Sequence, residues 1–142
     1  MKTKTIKIIP LLYLLGIFIT IISCKKDDSE DTPVKTGQWS GAGISFIVEG
    51  TPLKISDLEF AYNGHASGNL CSFDYESSGS FSQVTNISGN TFTAEINIFN
   101  ISGSFTCDTI AEIEITWTTY DSNCNANYSG NRTYMAHFQP IK

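Results

Sequence analysis

Apolar and polar residues alternate with a period of two in several stretches of the chain. In residues 43–48, Ile44, Phe46 and Val48 share one face. In 55–62, Leu58, Phe60 and Tyr62 share a face and Asp57 and Glu59 take the other. In 91–98, Phe92, Ala94, Ile96 and Ile98 alternate with Thr91, Thr93, Glu95 and Asn97. In 111–118, Ile113, Ile115 and Trp117 alternate with Glu112, Glu114 and Thr116, and in 132–138, Tyr134, Ala136 and Phe138 oppose Thr133, Met135 and His137. One apolar face at this period predicts half-buried antiparallel strands. Ser-Gly occurs six times, at 40–41, 67–68, 78–79, 88–89, 102–103 and 129–130, and with Asn63-Gly64 and Gly89-Asn90 it supplies turn signals between the strands. Beyond residue 24 no helical period is sustained. The pattern predicts an all-β domain: a single antiparallel β-sandwich, or a small barrel, of about seven to nine strands.

The N-terminus breaks the pattern. Lys2, Lys4 and Lys7 precede a run from 8 to 22 interrupted only by Pro10, Gly16 and Thr20. A membrane-spanning helix needs about 20 apolar residues, and fifteen residues of helix reach only about 22 Å. A basic start, a short apolar run and a small residue at a junction predict a secretory signal peptide over residues 1–23.

The junction, Ile21-Ile22-Ser23-Cys24, resembles the lipobox of bacterial lipoproteins. The resemblance implies that Cys24 is alkylated by diacylglycerol, that the peptide is cut before it with Ile21, Ile22 and Ser23 as the recognition grip, and that the new amino group is acylated. Two or three acyl chains make a stable membrane anchor. Lys25, Lys26, Asp27 and Asp28, followed by more acids, are similar to the export tag of Bacteroidetes-type surface lipoproteins. That likeness implies an outer-membrane address facing the cell surface, with a periplasm-facing anchor as the alternative. Residues 24–36 are charged, polar and Pro-containing, the composition of a solvated tether. Residues 37–142 then form one domain, large enough for a single core.

Cleavage before Cys24 leaves six basic and fourteen acidic side chains, a formal charge of −8. No basic patch survives to neutralise phosphates, which excludes nucleic acid as a partner. An anionic membrane surface repels such a domain, leaving the lipid as its membrane contact.

Residues 37–138 also resemble a Gly/Ser-rich β-domain of secreted bacterial proteins. The likeness rests on G-Q-W-S-G, I-S-F-I-V, the cysteine in S-G-N-L-C-S-F, and I-S-G-S-F-T followed by a strand and a second cysteine. It implies fold and export, and no activity. With Cys24 carrying lipid, Cys71, Cys107 and Cys124 remain in an oxidising compartment, where one thiol stays free or pairs between chains. Cys71 and Cys124 lie where the resembled domains carry cysteine and near expected loops, so a Cys71–Cys124 bridge is expected, with Cys107–Cys124 as its rival.

Candidate chemistry is sparse. Asp121, Asn123, Asn125 and Asn127 stand at every second position, as oxygen ligands do in a calcium loop. Ala126 occupies the position where such a loop needs glycine, Arg132 the position of the bidentate Glu, and one ligand alone is charged, so a long Asn-rich turn is the plainer reading. Glu112 with Glu114, and Asp57 with Glu59, pair carboxylates on the polar faces of strands, where solvation rather than acid–base work is expected. His65 and His137 have no partner legible in the sequence, and there is no nucleophile elbow, zinc motif or phosphate loop. Asp108-Thr109-Ile110 matches a short O-glycosylation signal of Bacteroidetes-type exported proteins. Trp39, Tyr120 and Tyr128, at expected strand ends, form a possible ligand face. The expectation is therefore a lipid-anchored cell-envelope lipoprotein, without catalysis or cofactor, that binds a glycan or an envelope protein. The alternative is a small lipoprotein inhibitor of a hydrolase such as lysozyme, inserting a loop near 121–131 into a cleft.

Overall fold

The computed structural model describes residues 33–68, 71–122 and 124–140. Ile21, Ile22, Ser23, Cys24, Lys25, Lys26, Asp27 and Asp28 lie outside them, as does Asn123. The described residues form eight strands: β1 Gly37–Gly41, β2 Ile44–Glu49, β3 Lys54–Ser67, β4 Ser72–Asn86, β5 Thr91–Ile96, β6 Phe99–Cys107, β7 Ile110–Asp121 and β8 Ala126–Phe138. All pairings are antiparallel, and the sheet order is β4-β3-β2-β1-β8-β7-β6-β5.

The chain is thus an all-β meander in one sheet. Its first and last strands are joined at Trp39↔Phe138 and Ser40↔His137, and β4 and β5 carry the two edges. The ladder is not closed between those edges, so the small-barrel alternative is not realised as a hydrogen-bonded cylinder. Instead the sheet coils until its halves face each other across one core, as layers of a sandwich do. Aromatic rings make the contact: Trp39 meets Phe105 with centroids 5.1 Å apart, Phe60 meets Phe99 at 5.1 Å, and Tyr62 meets Trp117 at 5.0 Å. Ile44, Phe46, Val48, Leu58, Ile101, Ile113 and Ile115 fill the space around them.

The inward alternation holds where it is expected, with two departures. Ile98 does not continue a strand. Asn97 turns the chain with φ 56°, and Ile98 is exposed in the β5–β6 turn while Phe99 takes the buried place. At the start of β3 the register shifts between Ile55 and Ser56, and both are buried. Ser56 Oγ is satisfied there by donating to Glu49 Oε1 at 2.9 Å.

Four of the six Ser-Gly pairs, and Asn63-Gly64, lie within strands rather than in turns. Gly64, Gly79, Gly103 and Gly130 lie mid-strand on the inward face, each directly opposite an aromatic residue: Tyr75, Phe60, Phe92 and Trp117. A Cβ built on Gly79 would lie 2.3 Å from the Phe60 ring, on Gly103 2.3 Å from Phe92, and on Gly130 2.3 Å from Trp117. Each ring covers the bare backbone of its partner strand, the arrangement by which an aromatic side chain rescues a strand glycine. This explains why β4 and β6 escape a search for apolar alternation: at Gly79 and Gly103 the expected inward side chain is supplied by the neighbouring strand.

The packed domain also begins before Gly37. Val34 is buried against the core, the Lys35 carbonyl accepts a hydrogen bond from Trp39 Nε1 at 3.1 Å, and Lys35 Nζ pairs with Asp108 at 2.7 Å. The segment expected to be tether through residue 36 is therefore part of the domain from Val34 on.

Gly103→Ala is expected to destabilise the domain by about 1–3 kcal/mol through overpacking against Phe92. Denaturant unfolding of the two proteins checks this, and an unchanged midpoint contradicts it.

Candidate functional site

Because β1 and β2 are short, the two long hairpins outgrow them. The β2 ladder reaches β3 only as far as Ile44↔Phe60, and β1 meets β8 only at 39–40. Beyond those points β3–β4 and β7–β8 face each other through side chains. Tyr134 donates its hydroxyl to the Ala61 carbonyl at 2.7 Å, and Arg132 Nη1 donates to the Ala61 carbonyl and to Asn63 Oδ1, both at 3.3 Å. Trp117 Nε1 donates to the Tyr75 hydroxyl at 2.7 Å. The hairpin ends are then tied by the Cys71–Cys124 disulfide, with Cα atoms 5.3 Å apart and a sequence separation of 53. In the chain-entropy picture a loop of that length contributes roughly 4 kcal/mol. The expected bridge is thus present, and its rival Cys107–Cys124 is not. Cys107 is disulfide-bonded as well, and no free cysteine is found among the described residues, so of the two fates expected for the third thiol the free one is not realised.

Around the bridge Ala66, Ala126 and Tyr128 form a second small core with Tyr75 beside it. Trp39 and Tyr128 therefore do not belong to a ligand face. Trp39 has no solvent exposure because it sits at the seam where β1 closes against β8, between Phe46, Phe105 and Phe138. Tyr128 is buried against Phe73 and Tyr75. Of the three candidates Tyr120 alone is open, at 58% exposure. The loop expected near 121–131 is mostly strand, since β8 already begins at Ala126. Its oxygens serve the turn: Asp121 Oδ1 accepts from the Cys124 amide at 3.2 Å, and Asn125 Oδ1 accepts from the Tyr120 hydroxyl at 2.9 Å. Asn125 adopts φ 47°, the left-handed conformation that Asn tolerates. Among the described residues no cluster of three His, Cys, Asp or Glu side chains is placed to hold a metal.

Two arrangements on the outer face carry chemistry. Over β5–β7, two shallow grooves of about 400 and 320 Å³ share Thr93, Ser102 and Glu114. The ladder stacks these residues in rows: Thr93↔Ser102↔Glu114, Thr91↔Ser104↔Glu112 and Glu95↔Asn100↔Thr116. Glu95, Glu112 and Glu114 are exposed and have no ion-pair or hydrogen-bond partner among the described residues. Asp57 and Glu59 line a smaller hollow of about 190 Å³ by β2.

On the β3–β4 hairpin, His65 gains the partners that sequence reading could not name. Its Nδ1 lies 2.7 Å from Asp74 Oδ1, the residue directly opposite, and its Nε2 lies 3.1 Å from Ser72 Oγ. The signal is latent in the two-residue period: Ser72 and Asp74 alternate on one strand, and the pairing of β3 with β4 sets them against His65.

No known protein family, characterised protein or solved structure matches the chain.

Burial, and then the Asp121 carboxylate, push the Tyr128 phenol up to about 12, and its hydroxyl lacks a well-formed hydrogen bond. Burial raises Tyr134 too, partly offset by the Arg132 guanidinium. Unfolded, a tyrosine ionises near pH 10. The folded state holds the Tyr128 proton more tightly, so the stability it contributes is whole below about pH 10 and is lost as pH rises towards 12. Tyrosinate absorbance of wild type against Tyr128→Phe should show the missing phenol titrating near pH 12, and a missing phenol titrating near 10 contradicts the placement.

Proposed function

We propose that the chain is a lipid-anchored cell-envelope lipoprotein whose sheet domain acts by binding, and that the ligand is a polyhydroxylated one, a glycan chain of the envelope. The observation that carries the binding reading is the groove over β5–β7. Unpaired carboxylates at Glu112 and Glu114 accept hydrogen bonds from sugar hydroxyls, and Thr93, Ser102 and Asn100 donate as well as accept. A ligand without negative charge and rich in hydroxyls suits such a surface. The anchor reading rests on the lipobox-like Ile21-Ile22-Ser23-Cys24 and, with Cys71 and Cys124 paired, requires the Cys107 disulfide to join two copies of the chain; the outer-membrane, surface-facing address rests on Lys25–Asp28, with the periplasmic face as the alternative.

Two measurements test the two halves. Peptide mass analysis of the protein from a bacterial host is expected to yield an N-terminal Cys24 bearing diacylglycerol. A cysteine sulfur carries a thioether or a disulfide and not both, so recovery of Cys24 in a disulfide-linked peptide, or with residues 1–23 still attached, contradicts the anchor. On immobilised envelope glycans the full chain is expected to be retained, and Glu112→Gln/Glu114→Gln to lose affinity at least about tenfold, the order of one charge-assisted hydrogen bond. Equal retention of the two proteins removes the groove as the site.

A further inference from the structure

Ser72, His65 and Asp74 stand in the order that acyl transfer requires: nucleophile to base at 3.1 Å, and base to orienting carboxylate at 2.7 Å, with the two contacts on different ring nitrogens. Backbone register supplies the next requirement. The Gly68 amide donates to the Cys71 carbonyl at 2.9 Å, which makes 68 and 71 a hydrogen-bonded pair. Alternation along the antiparallel ladder then makes Ser67↔Ser72 and His65↔Asp74 non-hydrogen-bonded pairs, in which side chains approach most closely and amides point away from the partner strand. β4 is an edge of the sheet. The Ser72 amide therefore faces the open side, next to its own hydroxyl, where an oxyanion formed on a Ser72-bound carbonyl would sit. Cys71, the residue before Ser72, is fixed by the disulfide to Cys124.

From this geometry we infer that Ser72 is a base-activated nucleophile, and that the hairpin hydrolyses short-chain carboxylic esters by acyl transfer. In the tautomer with the proton on Nδ1, His65 donates to Asp74 and its Nε2 lone pair receives the Ser72 proton. Oγ bonds to the acyl carbon as the carbonyl π pair moves to oxygen, beside the Ser72 amide. Collapse breaks the ester C–O bond, and His65 returns its proton to the departing alkoxide. Water then repeats the sequence on acyl-Ser72, releasing the acid, so that ester and water give acid and alcohol. The inference is independent of the glycan groove, which lies on the other half of the sheet. His65 and Asp74 are open to solvent, with side chains 57% and 90% exposed. Water screens the pair, and the acceleration belongs at the low end for general base catalysis, about 10²-fold.

The test uses the full chain with p-nitrophenyl acetate. Ser72→Ala and His65→Ala are expected to hydrolyse it about 10²-fold more slowly than wild type, with tryptophan emission unchanged because both positions are on the surface. Ser67→Ala, opposite Ser72 in the ladder but outside the contacts with His65, is expected to keep the wild-type rate. Asp74 is a positioning residue: Asp74→Asn keeps the shape but no longer holds the Nδ1 proton of His65, and is expected to lower kcat with KM unchanged; an unchanged kcat removes Asp74 from this role. Equal rates for wild type and Ser72→Ala overturn the inference as a whole.

Discussion

An aromatic ring lying over a strand glycine is the contact on which the rest of this sheet depends. Gly64, Gly79, Gly103 and Gly130 sit at inward positions, each beneath the ring of the residue directly across the ladder. A glycine inside a strand ordinarily weakens it, through backbone entropy and a missing side chain. Here the missing side chain is the purpose. It lets Phe60, Phe92 and Trp117 lie low enough over their neighbours for the two halves of the sheet to close on one another, ring against ring. A domain of this size gains most of its stability from one such core, so the backbone spacing at four glycines sets how the core packs.

The same geometry positions the chemistry. Short β1 and β2 let the long hairpins run on past the sheet's centre, where Tyr134, Arg132 and the Trp117–Tyr75 hydrogen bond replace a ladder and Cys71–Cys124 locks the ends. Inward residues are committed to packing, including Trp39 and Tyr128, which a search for exposed aromatics singles out. What remains for function is the outward half of the two-residue period. On β5–β7 that half is hydroxyl and carboxylate groups in rows. On β3–β4 it is His65 between Asp74 and Ser72.

Much of this was legible in the sequence. Strands whose inward faces are filled by their own side chains, such as 43–48 and 111–118, announce themselves by alternation. Strands that borrow a ring from the neighbour do not: Gly79 in β4 and Gly103 in β6 interrupt the apolar period, and Ser-Gly looks like a turn until the pairing is known. The Cys71–Cys124 bridge was expected from a resemblance and from nearby loops. The His65 constellation was not, because register is a tertiary property: which residue faces His65 depends on a hairpin whose second strand carries no apolar signature. Trp39 was misplaced for a related reason, since a tryptophan at a strand end is exposed only if nothing closes over that end, and β8 closes over it.

A double-mutant cycle at Phe60 and Gly79 isolates the ring–glycine contact more directly than any single substitution. Alanine at 79 should be costly beneath the phenylalanine ring and cheaper beneath the smaller leucine, so unfolding free energies of wild type, Phe60→Leu, Gly79→Ala and the double variant should show coupling of about 1 kcal/mol or more in that direction. Additivity within about 0.5 kcal/mol would mean that the ring does not need the bare backbone, and that the sheet closes for another reason.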